Sequence, residues 1–175
     1  MNIKSLIRTI PNYPKPGIMF RDISTLLYNG KALQFVTESF YKRYYNSDIQ
    51  AIAGIESRGF IFGAMLASKM GISFIPLRKK GKLPCDVYSE EYSLEYGIDT
   101  IEIDKSAIKE KDNIVIIDDL IATGGTALAA ISLILRCKAN IYEVSFLIDL
   151  PDLLGRKKIE EKGFKTFSLI EFKGK

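Results

Sequence analysis

From about residue 30 onward, two patterns of hydrophobic and polar positions alternate along the chain. Short runs of consecutive apolar residues, typical of buried strands, lie at 51–55, 72–77, 113–117, 141–147 and 166–170. Segments with apolar residues at helical spacing lie at 31–45, 59–70, 126–137 and 151–162. Continuous apolar strands separated by helices predict an α/β fold with a central, mostly parallel sheet and helices on both of its faces.

Two segments do not follow this alternation. Residues 11–29 begin with three prolines within Pro11–Pro16, so we expect an ordered irregular flap, which belongs to a small N-terminal hood over about 1–29. Residues 78–97 run from a basic cluster through tyrosines and glutamates to Gly97. Long loops inside a compact domain are often binding loops, so we expect a mobile lid loop here.

Length and composition indicate one soluble domain over residues 1–175. The chain has 47% hydrophobic and 26% charged residues, close to the average of globular proteins. No window offers eighteen uncharged apolar residues, and the N-terminus is too interrupted by charge and proline for a secretory signal. We therefore expect a cytoplasmic protein that does not act at a membrane.

Residue counts exclude several kinds of chemistry. There is no histidine, which excludes histidine-ligated zinc, Ser-His-Asp triads and histidine acid/base catalysis. The two cysteines, Cys85 and Cys137, are far apart and suggest neither a disulfide framework nor a metal site. A net charge of +4 is too mild for a nucleic-acid-coating protein, so we expect no nucleic-acid partner.

The strongest chemical signal lies at the end of the most β-branched strand. The strand is followed by Asp118 and Asp119, and then by a turn, Ala122 to Thr126, that opens into a helix. Glycines in such a turn let backbone N–H groups approach an anion, and the helix N-terminus favours negative charge. Phosphate in the turn and hydroxyls on the two carboxylates would suit a ribose 5-phosphate. The segment contains neither a Walker loop nor a GxGxxG motif.

Two other segments carry cations at the predicted ligand edge of the sheet. Glu56-Ser57-Arg58-Gly59 lies between a strand and a helix, and it repeats the anion-binding turn with a guanidinium added. The run Arg78, Lys79, Lys80 and Lys82 follows another strand. A solvated surface is the simpler interpretation of such a charge run, but its place after a strand also fits a site for a polyanion.

Five stretches together resemble the type I phosphoribosyltransferase family. Four of them precede the Asp118-Asp119 motif in the expected order, at 13–23, 54–60, 78–84 and 92–97. The Asp-Asp motif is common to the superfamily, whereas Phe20-Arg21-Asp22-Ile23 and Ser93-Leu94-Glu95-Tyr96-Gly97 are similar to the members that act on adenine. The resemblance extends over nearly the whole chain. It implies transfer of the phosphoribosyl group from phosphoribosyl diphosphate to adenine, giving AMP and diphosphate in purine salvage.

The resemblance also implies how the residues divide between the parts of the substrates. Ribose hydroxyls would be bound by Asp118 and Asp119. The 5′-phosphate would be bound by Ala122, Thr123, Gly124, Gly125 and Thr126. Diphosphate would be bound by Ser57, Arg58, Arg78, Lys79 and Lys82, and the turn at Glu56-Ser57-Arg58 contains a cis peptide in this family. Mg²⁺ would be held mainly by substrate oxygens, so no protein metal ligands are expected.

The base and the proton transfer are assigned in the same way. The adenine site would be formed by Met19, Phe20, Arg21 and Leu120, with Phe20 stacking on the purine. Glu95 would be the catalytic acid/base in the lid, with Tyr96 as its companion. The family is commonly homodimeric, so a homodimer is expected.

Two alternatives remain open from the sequence. One is a phosphoribosyltransferase for another purine base. The other is a non-catalytic regulator that binds phosphoribosyl diphosphate on the same fold. Such regulators usually carry an added DNA-binding segment, for which 175 residues leave little room.

Overall fold

A computed structural model describes residues 1–94 and 97–174. It contains nine strands: β1 (Arg8–Pro11), β2 (Met19–Asp22), β3 (Ala51–Ile55), β4 (Ser73–Lys79), β5 (Val87–Leu94), β6 (Gly97–Asp104), β7 (Asn113–Ile121), β8 (Asn140–Asp149) and β9 (Thr166–Glu171). The α-helices are α1 (Ser24–Leu27), α2 (Gly30–Tyr44), α3 (Gly59–Met70), α4 (Gly125–Arg136) and α5 (Gly155–Glu160). Single 3-10 turns lie at Ile3–Leu6 and Pro151–Leu153.

Seven strands form the central sheet, in the order β5-β6-β4-β3-β7-β8-β9. The five strands from β4 to β9 in this order are parallel, and β6 and β5 are added antiparallel at one edge. Every residue of β3 is buried, as are the first residues of β7 from Ile114 to Ile117. Strands buried on both faces need no polar side, which explains their continuous apolar runs. The predicted parallel α/β fold is therefore confirmed.

Two hydrophobic cores cover the two faces of this sheet. The helices α1, α2 and α3 pack on one face, around Phe40, Phe62 and Leu66. On the other face, α4 and α5 pack around Ile131, Ile134 and other buried aliphatic side chains. Helix α3 ends at Gly71, whose φ of 68° lies in the left-handed region that glycine adopts without strain. The two layers bring the starts of α3 and α4 to the same edge of the sheet.

Two segments expected to be irregular contain regular secondary structure. Most of 78–97, expected to be a lid loop, is strand: the end of β4, all of β5 and the start of β6. Strands β5 and β6 mix polar and apolar residues, so they lack the apolar run that marks a buried strand. The expected irregular flap at 11–29 includes β2, which pairs antiparallel with β1 in a separate two-stranded sheet, and the short helix α1.

No helix of the described residues is long and apolar enough to cross a membrane.

Candidate active site

One cavity of about 730 Å³ opens at the carboxyl ends of the parallel strands. It is lined on one side by the hood, from Pro16 to Arg21, and on the other by Asp118 to Ala127. Arg58, at the start of α3, also lines it, as do Phe146, Leu150, Leu153 and Gly174 farther along the chain. This is the edge where parallel α/β sheets bind ligands. The structure thus brings the expected ribose, 5′-phosphate and base residues into one space.

The two carboxylates are the sixth and seventh of the nine residues of β7, because the strand continues to Ile121. Asp119 is buried, with 3% of its surface exposed, and its Oδ2 lies 3.0 Å from Nε of Arg58. The main-chain N–H of Asp119 donates to Oδ1 of Asp118 over 2.8 Å. A side chain at Gly59 would place its Cβ 2.6 Å from the carbonyl oxygen of Ile117, so α3 packs tightly against the strand that carries the acids.

Both carboxylates are in surroundings that disfavour their charge. Burial raises the pKa of Asp118 well above its usual value, and the charge of Asp119 raises it further. Burial also raises the pKa of Asp119, and the guanidinium of Arg58 opposes that effect. A carboxylate that has lost water in this way gains from any hydrogen-bond donor that enters the cavity. Two neighbouring ribose hydroxyls are such donors.

The turn from Ala122 to Thr126 connects β7 to α4 and is supported from behind by α5. Gly124 has a φ of 84°, a conformation that favours glycine, and its carbonyl accepts the first helical bond from Leu128. The N–H of Gly155 donates to the carbonyl of Ala122 over 3.0 Å, and Nζ of Lys158 donates to that of Thr123 over 3.1 Å. These bonds engage the carbonyls from behind, so the N–H groups at the start of α4 are left for an anion.

The expected diphosphate cations lie against carboxylates. Oδ2 of Asp99 accepts from Nζ of Lys79 over 2.5 Å. Glu56 binds the other two: its side chain forms ion pairs with Lys82 and, at 3.5 Å, with Nε of Arg78. Burial acts to raise the pKa of Glu56, but hydrogen bonds from the Lys82 side chain and the Lys79 backbone, with the charges of Lys82 and Arg78, lower it overall, so the carboxylate is ionised at neutral pH.

The structure places these cations beside the cavity rather than in its wall. Ser57, Arg78, Lys79 and Lys82 are outside the residues that line it, whereas Arg58 is among them. Glu56 connects the two groups, because it binds Lys82 and is joined through Ser57 to Arg58. The peptide bond between Glu56 and Ser57 is cis, as the resemblance implied.

The hood forms the opposite wall of the cavity. Phe20 packs edge-on against Tyr13, with ring centroids 5.1 Å apart, and lies 5.8 Å from the guanidinium of Arg58. Met19 and Leu120 also line the cavity, and Met19 is 36% exposed. Arg21 lines it too, but its guanidinium is bound within the hood, where Nη1 donates to Thr9 over 2.6 Å. Any contact of Arg21 with a base would therefore come from its backbone.

The two residues expected to be catalytic, Glu95 and Tyr96, lie outside the described residues. Their neighbours Leu94 and Gly97 pair with each other where β5 meets β6. Ser93 lies against the turn from Ala122 to Thr126, hereafter the phosphate turn, because a Cβ at Gly125 would be 2.8 Å from the carbonyl oxygen of Ser93. The end of β5 therefore reaches the start of α4.

Sequence reasoning missed several residues that shape the site. Asp99 and Glu56 hold the cations, Tyr92 donates to Asp99 over 3.3 Å, and Gly155 supports the phosphate turn. All but Glu56 are far along the chain from the motifs they support. For Gly155, the available signal was a glycine within the helix predicted at 151–162, which by itself indicates no site.

Comparisons with known proteins agree with this geometry. The family model described as phosphoribosyl transferase domain matches residues 23–173. An adenine phosphoribosyltransferase of Methylobacillus flagellatus is 53% identical over 172 residues, covering 98% of each chain. The crystal structure of adenine phosphoribosyltransferase from Thermoanaerobacter pseudethanolicus has a TM-score of 0.92 at 45% identity, covering 97% of this chain and 98% of that one.

A third relative was crystallised with ligands. It is the adenine phosphoribosyltransferase of Saccharomyces cerevisiae, complexed with D-2,5-dideoxy-2,5-imino-altritol 1,6-bisphosphate and adenine. Its structure has a TM-score of 0.90 at 38% identity, covering 95% of this chain and 96% of that one. Similarity of this extent covers the hood, the sheet and both anion-binding turns. The chain belongs to the phosphoribosyltransferase family, among the adenine phosphoribosyltransferases, and is a pentosyltransferase enzyme.

Proposed function

We propose that this protein transfers the 5-phosphoribosyl group from phosphoribosyl diphosphate to adenine, releasing AMP and diphosphate. One observation carries the proposal: the acid pair of β7, the glycine turn before α4 and the aromatic hood share a single cavity. A ribose phosphate and a planar base attached to it need these three environments side by side. The reaction is reversible and would serve purine salvage.

Asp118 and Asp119 would accept hydrogen bonds from the 2′- and 3′-hydroxyls of the ribose. The turn from Ala122 to Thr126 would bind the 5′-phosphate through backbone N–H groups and the hydroxyls of its two threonines. The helix N-terminus contributes a partial positive charge to the same anion. This arrangement fixes the sugar so that C1′ faces both the leaving group and the incoming base.

The base would lie between Phe20 and Leu120, where both side chains line the cavity. The backbone near Met19 and Arg21 would read the adenine edge, with a carbonyl for the amino group and an N–H for a ring nitrogen. The yeast relative complexed with adenine supports this choice of base. A site built around those bonds rejects 6-oxopurines, because its polar groups would be left unpaired.

The leaving diphosphate would be stabilised by Ser57, Arg58, Arg78, Lys79 and Lys82. The carboxylate partners of Arg78, Lys79 and Lys82 would be exchanged for phosphate oxygens as the substrate binds. Mg²⁺ also fits this site: the acid pair offers hard oxygen ligands, and buried Oδ2 of Asp119 has no hydrogen bond among the described residues. As the family resemblance implies, substrate oxygens would supply most of the ligands. When bound, the ion would neutralise charge that develops on the diphosphate.

Glu95 would exchange a proton with the adenine ring as N9 bonds to C1′, with Tyr96 beside it over the substrate. This assignment rests on the family resemblance of Ser93-Leu94-Glu95-Tyr96-Gly97. Glu95→Gln should lower turnover strongly while leaving the affinity for phosphoribosyl diphosphate nearly unchanged. Full activity in that variant would remove Glu95 from the mechanism.

The base-specificity assay tests the proposal directly. The purified protein is supplied with phosphoribosyl diphosphate, Mg²⁺ and one base at a time, and nucleotide formation is followed by chromatography. We expect AMP from adenine at a kcat/KM at least about 10⁴ times that of IMP from hypoxanthine, because a hydrogen-bonding site discriminates to that extent. Faster turnover of hypoxanthine, guanine or xanthine would reject adenine as the substrate. No turnover of any base, with binding of phosphoribosyl diphosphate, would favour the regulator.

We also propose, from the family resemblance, that the protein is a homodimer in the cytoplasm. Both cysteines, Cys85 and Cys137, are free thiols, which suits a reducing compartment. Analytical ultracentrifugation would test the assembly, and a single species at the 19.7 kDa mass of one chain would contradict the dimer.

A further inference from the structure

The hood reaches the rest of the protein partly through the C-terminal segment, Phe172 to Gly174. The hood strands β1 and β2 pair only with each other, outside the seven-stranded sheet. A two-stranded ribbon is marginally stable by itself. Its position over the cavity therefore depends on side-chain contacts with neighbouring segments.

Phe172 makes such a contact with the strand that lines the base side. The guanidinium carbon of Arg21 lies 4.5 Å from the centroid of the Phe172 ring, and Nζ of Lys4 lies 4.8 Å from it. Both Arg21 and Phe172 are buried, at 8% and 9% exposed. A cation over an aromatic face is most favourable when it is shielded from water. Nε of Arg21 has no hydrogen-bond acceptor among the described residues, so the ring is a principal partner of that guanidinium.

The same segment is fixed to the opposite wall of the cavity. The N–H of Phe172 donates to the carbonyl of Asp149, at the end of β8, over 3.0 Å. Two residues later, the N–H of Gly174 donates to Oδ2 of Asp152 over 2.7 Å. Gly174 itself lines the cavity, as do Leu150 and Leu153 on either side of Asp152.

We infer that Phe172 is a positioning residue for the base site: it sets the spacing between the Phe20 strand and the wall at Leu150 and Leu153. The inference rests on the proposed function, in that this part of the cavity takes the purine. Phe172 does not line the cavity, so it acts on the base only through Arg21 and the backbone of β2. Loss of the ring would loosen the base side and leave the acid pair and phosphate turn in place.

Steady-state kinetics with each substrate varied in turn separate this role from a general structural one. Phe172→Ala should raise KM for adenine about tenfold, which is about 1.4 kcal/mol of binding free energy. KM for phosphoribosyl diphosphate and kcat at saturating substrates should stay within about twofold. Phe172→Tyr, which keeps a ring under the guanidinium, should restore the KM for adenine.

Phe167→Ala is the matched control. Phe167 also lies under a guanidinium, that of Arg43 at 3.9 Å, but neither residue lines the cavity. This variant should lower the melting temperature without changing either KM. The inference is overturned if Phe172→Ala has the wild-type KM for adenine, if both KM values rise together, or if Phe167→Ala reproduces the effect.

A second variant covers the case in which Phe172→Ala does not fold. Asp152→Ala removes the anchor of Gly174 and should raise KM for adenine alone by about threefold, and an unchanged KM would refute the inference. Failure of the proposed function gives a different result, because the wild type would then make no AMP. In that case the same variants are compared with the base that the wild type does use, and an unchanged KM for that base refutes the inference.

Discussion

Gly155→Ala should disable the phosphate turn although residue 155 is not expected to touch substrate. A Cβ at this position would lie 2.3 Å from the carbonyl oxygen of Ala122 and 2.7 Å from the nitrogen of Gly124. Ordinary contacts of a Cβ begin at 3.4 Å, so the backbone of the turn or of α5 must move by about 1 Å. Both atoms belong to backbone, so no flexible side chain can absorb the clash.

The size of the effect follows from that displacement. Misplacing a substrate-binding group by about 1 Å can cost about 100-fold in rate. We expect kcat/KM for phosphoribosyl diphosphate to fall by about 30- to 100-fold, with KM for that substrate rising more than KM for adenine. Overpacking should also lower the free energy of unfolding by about 1–3 kcal/mol.

Gly30→Ala is the control for this variant. Gly30 also begins a helix, α2, but a Cβ there would meet nothing within 4 Å. The two variants are compared by initial rates at varied phosphoribosyl diphosphate and by thermal unfolding. Gly30→Ala should match the wild type in both. A Gly155→Ala protein with wild-type kcat/KM would show that the turn does not need this support, and the argument from backbone contact would fail.

Three further predictions concern charges. Asp118→Asn should raise the melting temperature, because burial and Asp119 raise the pKa of Asp118 and its ionisation therefore costs the folded state free energy. The gain in melting temperature should be absent below pH 3.8 and grow as pH rises through the raised pKa, and activity should be lost. A gain that does not depend on pH would contradict this origin. Asp99→Asn removes the carboxylate that binds Lys79 and should increase the affinity for inorganic diphosphate about two- to fivefold, as expected for a half-exposed ion pair. The affinity is measured by calorimetry, with Asp104→Asn on the same strand as the control. Glu143→Gln breaks a bidentate ion pair with Arg43 and a hydrogen bond from Tyr44. It should lower the free energy of unfolding by about 3 kcal/mol, measured by urea titration. A changed KM for either substrate would show an unexpected link between this ion pair and the active site.

The sequence predicted the parallel half of the fold well, because burial on both faces leaves a simple pattern. Strand β3 is observed at Ala51–Ile55, as predicted, and helix α3 at Gly59–Met70 likewise. The antiparallel edge was missed for the opposite reason. Strand β6 buries Ile101 and Ile103, but Gly97, Ile98 and the intervening acids interrupt the pattern. An antiparallel strand needs only one apolar face, and a short alternating segment between charged loops resembles a loop.

The site residues that lie next to each other in sequence could be predicted, and their partners could not. Asp118 to Thr126 is one continuous segment, so its chemistry can be recognised from consecutive residues of the sequence. The bond from Lys79 to Asp99 joins residues 20 apart, and that from Lys82 to Glu56 joins residues 26 apart. The first pairing depends on the addition of β6 beside β4, which is the part of the topology that the sequence pattern did not indicate, whereas the second follows from the parallel pairing of β3 with β4.

These pairings change the expected electrostatics of the diphosphate site. From sequence, Arg78, Lys79 and Lys82 form a strongly positive cluster. In the structure, Glu56 and Asp99 lie against them, and the pKa of each carboxylate is lowered below its usual value, for Asp99 chiefly by Lys79. Counting Lys80 of the same run, four cations and two ionised carboxylates carry a net charge of +2 instead of +4. Under the proposed function, diphosphate affinity would therefore come in large part from exchanging carboxylate partners for phosphate oxygens, and the carboxylates are the positions where that affinity could be tuned.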